Sequence, residues 1–133
     1  MEGSKAMKPA LSATAAPASE GAIVTKAVLR AAGRLGLSNR VLGRTLGLSE
    51  ASVSRMGSGA FVLTPGDKPY ELALLFIRLF RSLDAIVAGD ESAARGWMAS
   101  ENLLLGGIPA RQIETLPGLI NVLGYLDARR ALV

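Results

Sequence analysis

The stretch that decides the fold runs from Asn39 to Ser58 and reads NRVLGRTLGLSEASVSRMGS. Two glycines lie four residues apart in it, Gly43 in the first helical segment and Gly47 at the turn that follows. Gly47 suits a tight turn because glycine adopts a positive φ without a steric penalty, and Gly43 leaves room for a second helix to cross closely. The residues expected to form a shared apolar wedge are Leu42, Leu46, Leu48, Val53 and Met56. The pattern predicts a helix-turn-helix with helices at 39–46 and 50–56.

The same register turns a set of polar residues outward, and these predict contacts with DNA. In a helix-turn-helix the second helix meets base edges in the major groove, while the first helix crosses the backbone. Arg55 could bind guanine bidentately and Glu50 could accept from cytosine. The candidate DNA-binding residues are Arg40, Arg44, Ser49, Glu50, Ser52, Ser54 and Arg55, with Arg40 and Arg44 assigned to phosphates. The alternative is an ordinary helical hairpin, in which Ser49 caps the second helix and Glu50 opposes its dipole.

Positive charge is concentrated around this segment. Residues 21–59 hold six basic side chains and one acidic one, whereas residues 67–133 hold seven basic and eight acidic ones. A basic front half beside a nearly neutral back half indicates that the front half meets a polyanion. A generic solvated surface is the alternative explanation of the charge taken alone.

The composition excludes several classes of site. Half of the 133 residues are hydrophobic, enough for a compact core without disulfides or metal. Cysteine and histidine are both absent, which excludes Cys/His zinc sites, thiol nucleophiles, Ser-His-Asp triads and histidine bases. No glycine-rich phosphate loop follows a strand. We therefore expect a protein that is not an enzyme, with no cofactor, no metal and no catalytic residues.

Helical periods dominate the whole chain and predict an all-α fold. We expect a disordered tail over 1–20, the helix-turn-helix domain over 21–59, a linker over 60–67 and a helical domain over 68–133. Further helices are expected at about 22–35, 70–88, 91–102 and 109–114, followed by a last helix capped by Thr115. The expected buried face of that last helix consists of Leu116, Leu119, Ile120, Leu123 and Leu126.

The helix expected at 70–88 is apolar nearly all round, so more than one of its sides should be covered. One side is assigned to the core and another to a subunit interface, which predicts a homo-oligomer, most simply a dimer. Its apolar stretch, 72–87, is shorter than the ~20 residues that span a bilayer. No signal-type segment precedes it, so the chain is expected to be cytoplasmic, with no membrane contact.

The C-terminal half carries a pattern that resembles a known family. The residues concerned are Trp97-Met98, Asn102, Leu105-Gly106-Gly107, Pro109, Gly118, Val122 and Leu126. They resemble the toxin-binding domain of the Xre/MbcA/ParS antitoxins, and with the upstream helix-turn-helix the resemblance covers residues 22–133. Departures from the family pattern include Met98, where leucine is commoner, and the ending Arg-Arg-Ala-Leu-Val.

The resemblance implies an antitoxin that binds and blocks a RES-domain toxin, an enzyme that degrades NAD, and that represses its own promoter. The candidate toxin-binding residues are Trp97, Gly106, Gly107, Arg129, Arg130, Leu132 and Val133. Two mechanisms of inhibition stay open: the segment 129–133 obstructs the NAD cleft, or the surface around Trp97 and the glycine turn clamps the toxin. Trp97 could instead be a core aromatic, and Gly106-Gly107 a plain turn. The competing function is a stand-alone dimeric repressor.

Overall fold

The computed structural model describes residues 19–133, and this part of the chain is helical, with one isolated bridge between Asn102 and Gly107 and no strand. Its seven helices are α1 (Glu20–Arg34), α2 (Asn39–Leu46), α3 (Glu50–Ser58), α4 (Lys68–Ile86), α5 (Glu91–Ala99), α6 (Pro109–Gln112) and α7 (Leu116–Arg130). The all-α prediction is confirmed. The tail expected over 1–20 lies outside the described residues except at its end, where Ser19 and Glu20 already belong to α1 and its cap.

Helix starts follow the capping residues in the sequence. The side chains of Ser38, Ser49, Asp90 and Thr115 each accept a hydrogen bond from the backbone N–H three residues on, as an N-cap does. Asp67 takes the N-cap position of α4 but makes no side-chain capping bond. Helix α1 starts earlier than predicted because Ser19 caps it by accepting from the Ala22 N–H.

The turn between α2 and α3 has the geometry that its two glycines predict. Gly47 adopts φ 74° as the C-cap of α2. A Cβ atom at position 43 would lie 2.6 Å from the Leu48 carbonyl oxygen. Only glycine therefore fits at position 43, because the backbone of the turn passes too close to it for a side chain. Leu42, Leu46, Val53 and Met56 are buried and Leu48 is half-buried, which confirms the apolar wedge.

Helix α4 is the centre of the molecule. It contacts α1 and α2, which precede it in the chain, and α5 and α7, which follow it. Phe76 and Leu79 are fully buried, and Leu83 is 1% exposed. Helices of the same chain therefore cover most of the apolar surface of α4, which confirms the side assigned to the core. The side assigned to a subunit interface stays a prediction.

The segment 60–67 is extended but not detached from the core. Leu63 is 2% exposed, and its backbone N–H donates to the Thr25 hydroxyl on α1 at 2.9 Å. Gly21 on α1 has no room for a Cβ, because the Leu63 carbonyl oxygen presses against it. This segment is therefore packed along α1.

The face of α7 differs from the predicted one. Leu119, Val122, Leu123 and Leu126 are buried, whereas Leu116 and Ile120 are 50% and 49% exposed. Ile120 lies about 100° round the helix from Leu119, off the stripe that faces the core, and Val122 occupies that stripe instead. Leu116 lies in the first turn of the helix.

Helix α5 also ends earlier than predicted, at Ala99. The chain leaves the helix at Ser100, which is extended, because the side chain of Asn102 forms part of the turn that follows. Its Oδ1 accepts from the Leu105 N–H at 3.0 Å, a local bond of the kind that competes with helix continuation.

We predict that Gly43→Ala destabilises the fold by about 1–3 kcal/mol, because the new methyl group must displace the backbone of the turn. The matched control is Gly96→Ala on α5, where a Cβ would meet nothing within 4 Å. The control should be neutral or more stable by about 0.5–1 kcal/mol, since alanine is the better helix former. Urea unfolding of both variants checks this; equal stability of the two would contradict the close approach at Gly43.

Candidate functional site: a recognition helix and an aromatic-arginine cluster

One candidate site is the outer side of α3. Ser49, Glu50, Ala51, Ser54 and Arg55 are exposed, and Ser52 is half-buried. Val53 and Met56 face inward and are 1% and 3% exposed, so the helix is held by its apolar side alone. The polar side is left open along its length, which is the arrangement that a helix inserted into a DNA groove requires.

Arg55 is held in place along this open side by two serines. The Arg55 Nη2 donates to Ser52 Oγ at 3.2 Å, and Ser49 Oγ donates to the same oxygen at 3.0 Å. Ser49 Oγ also accepts from the Ser52 N–H at 3.1 Å. Ser49 is thus a confirmed helix cap, and Ser52 positions the guanidinium of Arg55. Such a fixed guanidinium fork is suited to bidentate contacts.

The two arginines of α2 have different surroundings. Arg40 is exposed in the first turn of α2. Arg44 forms an ion pair with Glu114, with 3.3 Å between Nη1 and Oε1, and these side chains are 54% and 24% exposed. Glu114 lies just before α7, seventy residues along the chain, so the sequence pattern around Arg44 could not predict this pair. Arg40 is the freer of the two for a phosphate.

A second candidate site lies where α5 meets α7. The rings of Trp97 and Tyr125 stack with their centroids 6.1 Å apart and their planes at 23°. The guanidinium carbon of Arg129 lies 4.6 Å from the centroid of the Tyr125 ring, within the range of a cation–π contact. Trp97 is half-buried. The predicted site lacks Tyr125, although its position four residues before Arg129 on one helix was the available signal.

Arg129 and Arg130, both predicted to bind the toxin, point in different directions. Arg130 Nη1 donates to Ser82 Oγ at 3.4 Å, on the α4 side of α7. Ser82 Oγ donates in turn to Asp127 at 2.7 Å, and Arg78 pairs with the same carboxylate at 2.6 Å. Consecutive residues of a helix point about 100° apart, which is why the two guanidinium groups separate. Both predicted residues are helical; only 131–133 follow α7.

The remaining predicted toxin-binding residues are Gly106, Gly107, Leu132 and Val133. Gly106 adopts φ 76° in a turn closed by the Asn102–Gly107 bridge, so the turn interpretation of the glycine pair is confirmed. Leu132 and Val133 are 83% and 77% exposed. We call Trp97, Tyr125 and Arg129 the Trp97 cluster. This cluster and the four residues above all lie in the C-terminal half of the chain, far from α3 in sequence.

The two halves are joined by polar contacts as well as by the core. Arg95 on α5 donates from Nη2 to the Gly33 carbonyl at 2.9 Å and from Nε to the Arg34 carbonyl at 3.2 Å. These carbonyls end α1, where helical carbonyls lack partners of their own. Arg95 therefore caps α1 from the opposite half of the chain, and Arg44–Glu114 adds a second connection.

Within residues 19–133, no three acidic side chains lie close enough to hold a metal ion. In the same part of the chain, no helix has both the length and the apolar run needed to cross a bilayer.

Comparison with protein families gives two matches, one in each half of the chain. The model described as the antitoxin Xre-like helix-turn-helix domain matches residues 14–78. The model described as the antitoxin Xre/MbcA/ParS C-terminal toxin-binding domain matches residues 82–131. No curated protein matches the chain. The first match contains α3, and the second contains the Trp97 cluster and the glycine turn.

Proposed function

The chain belongs to the Xre/MbcA/ParS antitoxin family, and on that premise we propose that it inhibits a RES-domain, NAD-degrading toxin and represses its own operon. An Xre-like helix-turn-helix and a toxin-binding domain in one chain make it an antitoxin of a toxin–antitoxin pair. The class of toxin, the reaction that it catalyses and the autorepression are the proposed part. The observation that carries the proposal is the coexistence of the two domains on one core.

The DNA-binding part of the proposal rests on α3. Its open side presents three serine hydroxyls, a carboxylate and a guanidinium, and Arg55 is hydrogen-bonded to Ser52. Hydroxyl groups and a guanidinium fork are the groups that contact phosphates and guanine edges. Arg40, at the start of α2, is the proposed phosphate contact that sets the position of the domain on the duplex.

The toxin-binding part rests on the second family match and on the surface that it contains. Trp97, Tyr125 and Arg129 form a surface of two aromatic rings and a cation, the residue types enriched in protein interfaces. The exposed apolar residues 132 and 133 continue the chain from the same helix. We assign the surface to toxin binding and the segment 129–133 to contact with the NAD cleft.

The alternative function is a stand-alone dimeric repressor whose C-terminal half only dimerises. A toxin-binding domain match over 82–131 favours the antitoxin, because a plain repressor has no need of such a surface. Co-expression with the neighbouring gene separates the two: an antitoxin co-purifies with its product, and a stand-alone repressor does not.

A dimer also belongs to the proposal, since helix-turn-helix proteins commonly bind two half-sites about 34–36 Å apart. Leu79 is fully buried within the chain and cannot contribute to the interface. The surface that remains is a groove between α1 and α4, where Ile23 and Leu74 are 56% and 43% exposed. Ile77 and Arg78 also line this groove.

We predict that Arg55→Ala weakens operator binding by about 1–3 kcal/mol and relaxes specificity at one base position. Arg40→Ala should weaken binding to all sequences alike and reduce the dependence on salt. Gel-shift titrations with operator and unrelated duplexes, each at two salt concentrations, check both variants. An unchanged operator affinity of Arg55→Ala would show that α3 is not placed in the groove.

For inhibition, we predict that Leu132→Ser combined with Val133→Ser restores NAD degradation in the complex. The variant keeps α7 and the contacts of both arginines, so folding and operator binding should be preserved. The proposed toxin, taken as the product of the neighbouring gene, is assayed for NAD consumption with intact and variant antitoxin. Full silencing by the variant would favour the clamp around Trp97 over obstruction of the cleft.

For self-association, we predict that Leu74→Lys converts the dimer to monomers, because it removes an apolar contact and adds a positive charge to a groove that already holds Arg78, Arg81 and Arg130. The matched control is Ala85→Lys, at an exposed position of the same helix, which should leave the dimer intact. Sedimentation velocity at micromolar concentration distinguishes the species. A wild-type chain that is already monomeric there would count against the proposed interface.

A further inference from the structure

Two adjacent leucines protrude from the turn that follows α5. Leu103 is 92% exposed and Leu104 is 73% exposed. A single exposed leucine is ordinary on a protein surface, but two neighbouring ones at the tip of a turn form a small apolar projection. We call Leu103 and Leu104 the leucine knob.

The backbone of the turn is held closed beneath the leucine knob. The Asn102 N–H donates to the Gly107 carbonyl at 2.9 Å, and the Gly106 N–H donates to the Asn102 carbonyl at 2.8 Å. The Asn102 Oδ1 accepts from the Leu105 N–H at 3.0 Å. With Gly106 at φ 76°, these bonds fix the two leucines at the tip of an ordered loop.

The turn is also fastened to the helix that follows it. Gln112 Nε2 donates to the Leu105 carbonyl at 2.7 Å, and a Cβ at Gly107 would lie 3.2 Å from that nitrogen. The leucine knob is therefore fixed relative to α6. An ordered projection loses little conformational entropy when it binds, which favours association.

The turn that carries the leucine knob borders a groove of about 410 Å³. The groove is lined by Glu101, Gly106, Gly107, Ile108, Arg111 and Gln112. Glu101 and Arg111 are exposed and opposite in charge. Exposed apolar residues beside polar and charged ones are the combination that protein–protein interfaces use at their core and rim.

We infer that the leucine knob inserts into an apolar cleft on the surface of the toxin and supplies a main part of the binding energy. The whole turn lies within residues 82–131, the range matched by the toxin-binding domain, and this identifies the toxin as the occupant. The assignment rests on the proposed function, because it takes the RES-domain protein as that toxin. It adds Leu103 and Leu104 to the toxin-binding candidates of the same half of the chain, namely Gly106, Gly107 and Trp97.

The test is the double variant Leu103→Ser, Leu104→Ser. Its affinity for the RES-domain protein encoded beside this chain should fall about tenfold or more, as expected for the loss of a buried apolar anchor. Its thermal unfolding and operator binding should match those of the intact chain, because the removed groups are exposed. The matched control is Val62→Ser, at a 44% exposed apolar residue outside the toxin-binding domain of residues 82–131, which should leave toxin affinity unchanged. Calorimetric titration gives the affinities.

The outcomes separate the leucine knob from the proposed function. Unchanged affinity of the double variant, beside a wild-type chain that binds, would overturn the knob assignment and leave the proposed function standing. Failure of the intact chain to bind the RES-domain protein would overturn both. Dissociation of an antitoxin oligomer by the double variant, seen by sedimentation without toxin, would assign the leucines to a second copy of the chain and overturn the inference.

Discussion

The burial of α4 between the other helices is the interaction on which the rest of the structure depends. Phe76, Leu79 and Leu83 lie at its centre with almost no exposed surface, and helices from both halves of the chain pack around them. The two family matches, 14–78 and 82–131, each take part of this helix. The DNA-binding half and the toxin-binding half therefore share one core, and removal of α4 would leave apolar surface on both.

Local features of this fold could be predicted from the sequence because short-range physics decides them. Serine, threonine and aspartate caps mark the starts of helices, and Gly47 adopts the positive φ that its turn requires. Gly43 is needed because backbone atoms of the turn approach it. In the same way, the period of α3 predicts its outward residues, since Val53 and Met56 must face the core.

Contacts between residues far apart in the sequence could not be predicted from local patterns. The sequence predicts a phosphate contact for Arg44, and nothing near it in the sequence indicates that Glu114 lies beside it. The predicted buried face of α7 is wrong at Leu116 and Ile120, because packing against α4, and not hydrophobicity alone, determines which side of α7 is covered. The sequence predicts the same role for Arg129 and Arg130, but helical geometry places one over Tyr125 and the other beside Ser82.

The stack of Trp97 on Tyr125 has a spectroscopic consequence. The chain contains one tryptophan, and it lies half-buried where α5 meets α7. Fluorescence excited at the long-wavelength edge of protein absorption, where only tryptophan absorbs, therefore comes from Trp97 alone. Neither α3 nor the rest of the helix-turn-helix contributes to it. The molecule carries its own optical label in its toxin-binding half, and quenching or shift of that emission can be assigned to a known pair of rings without any dye or added residue.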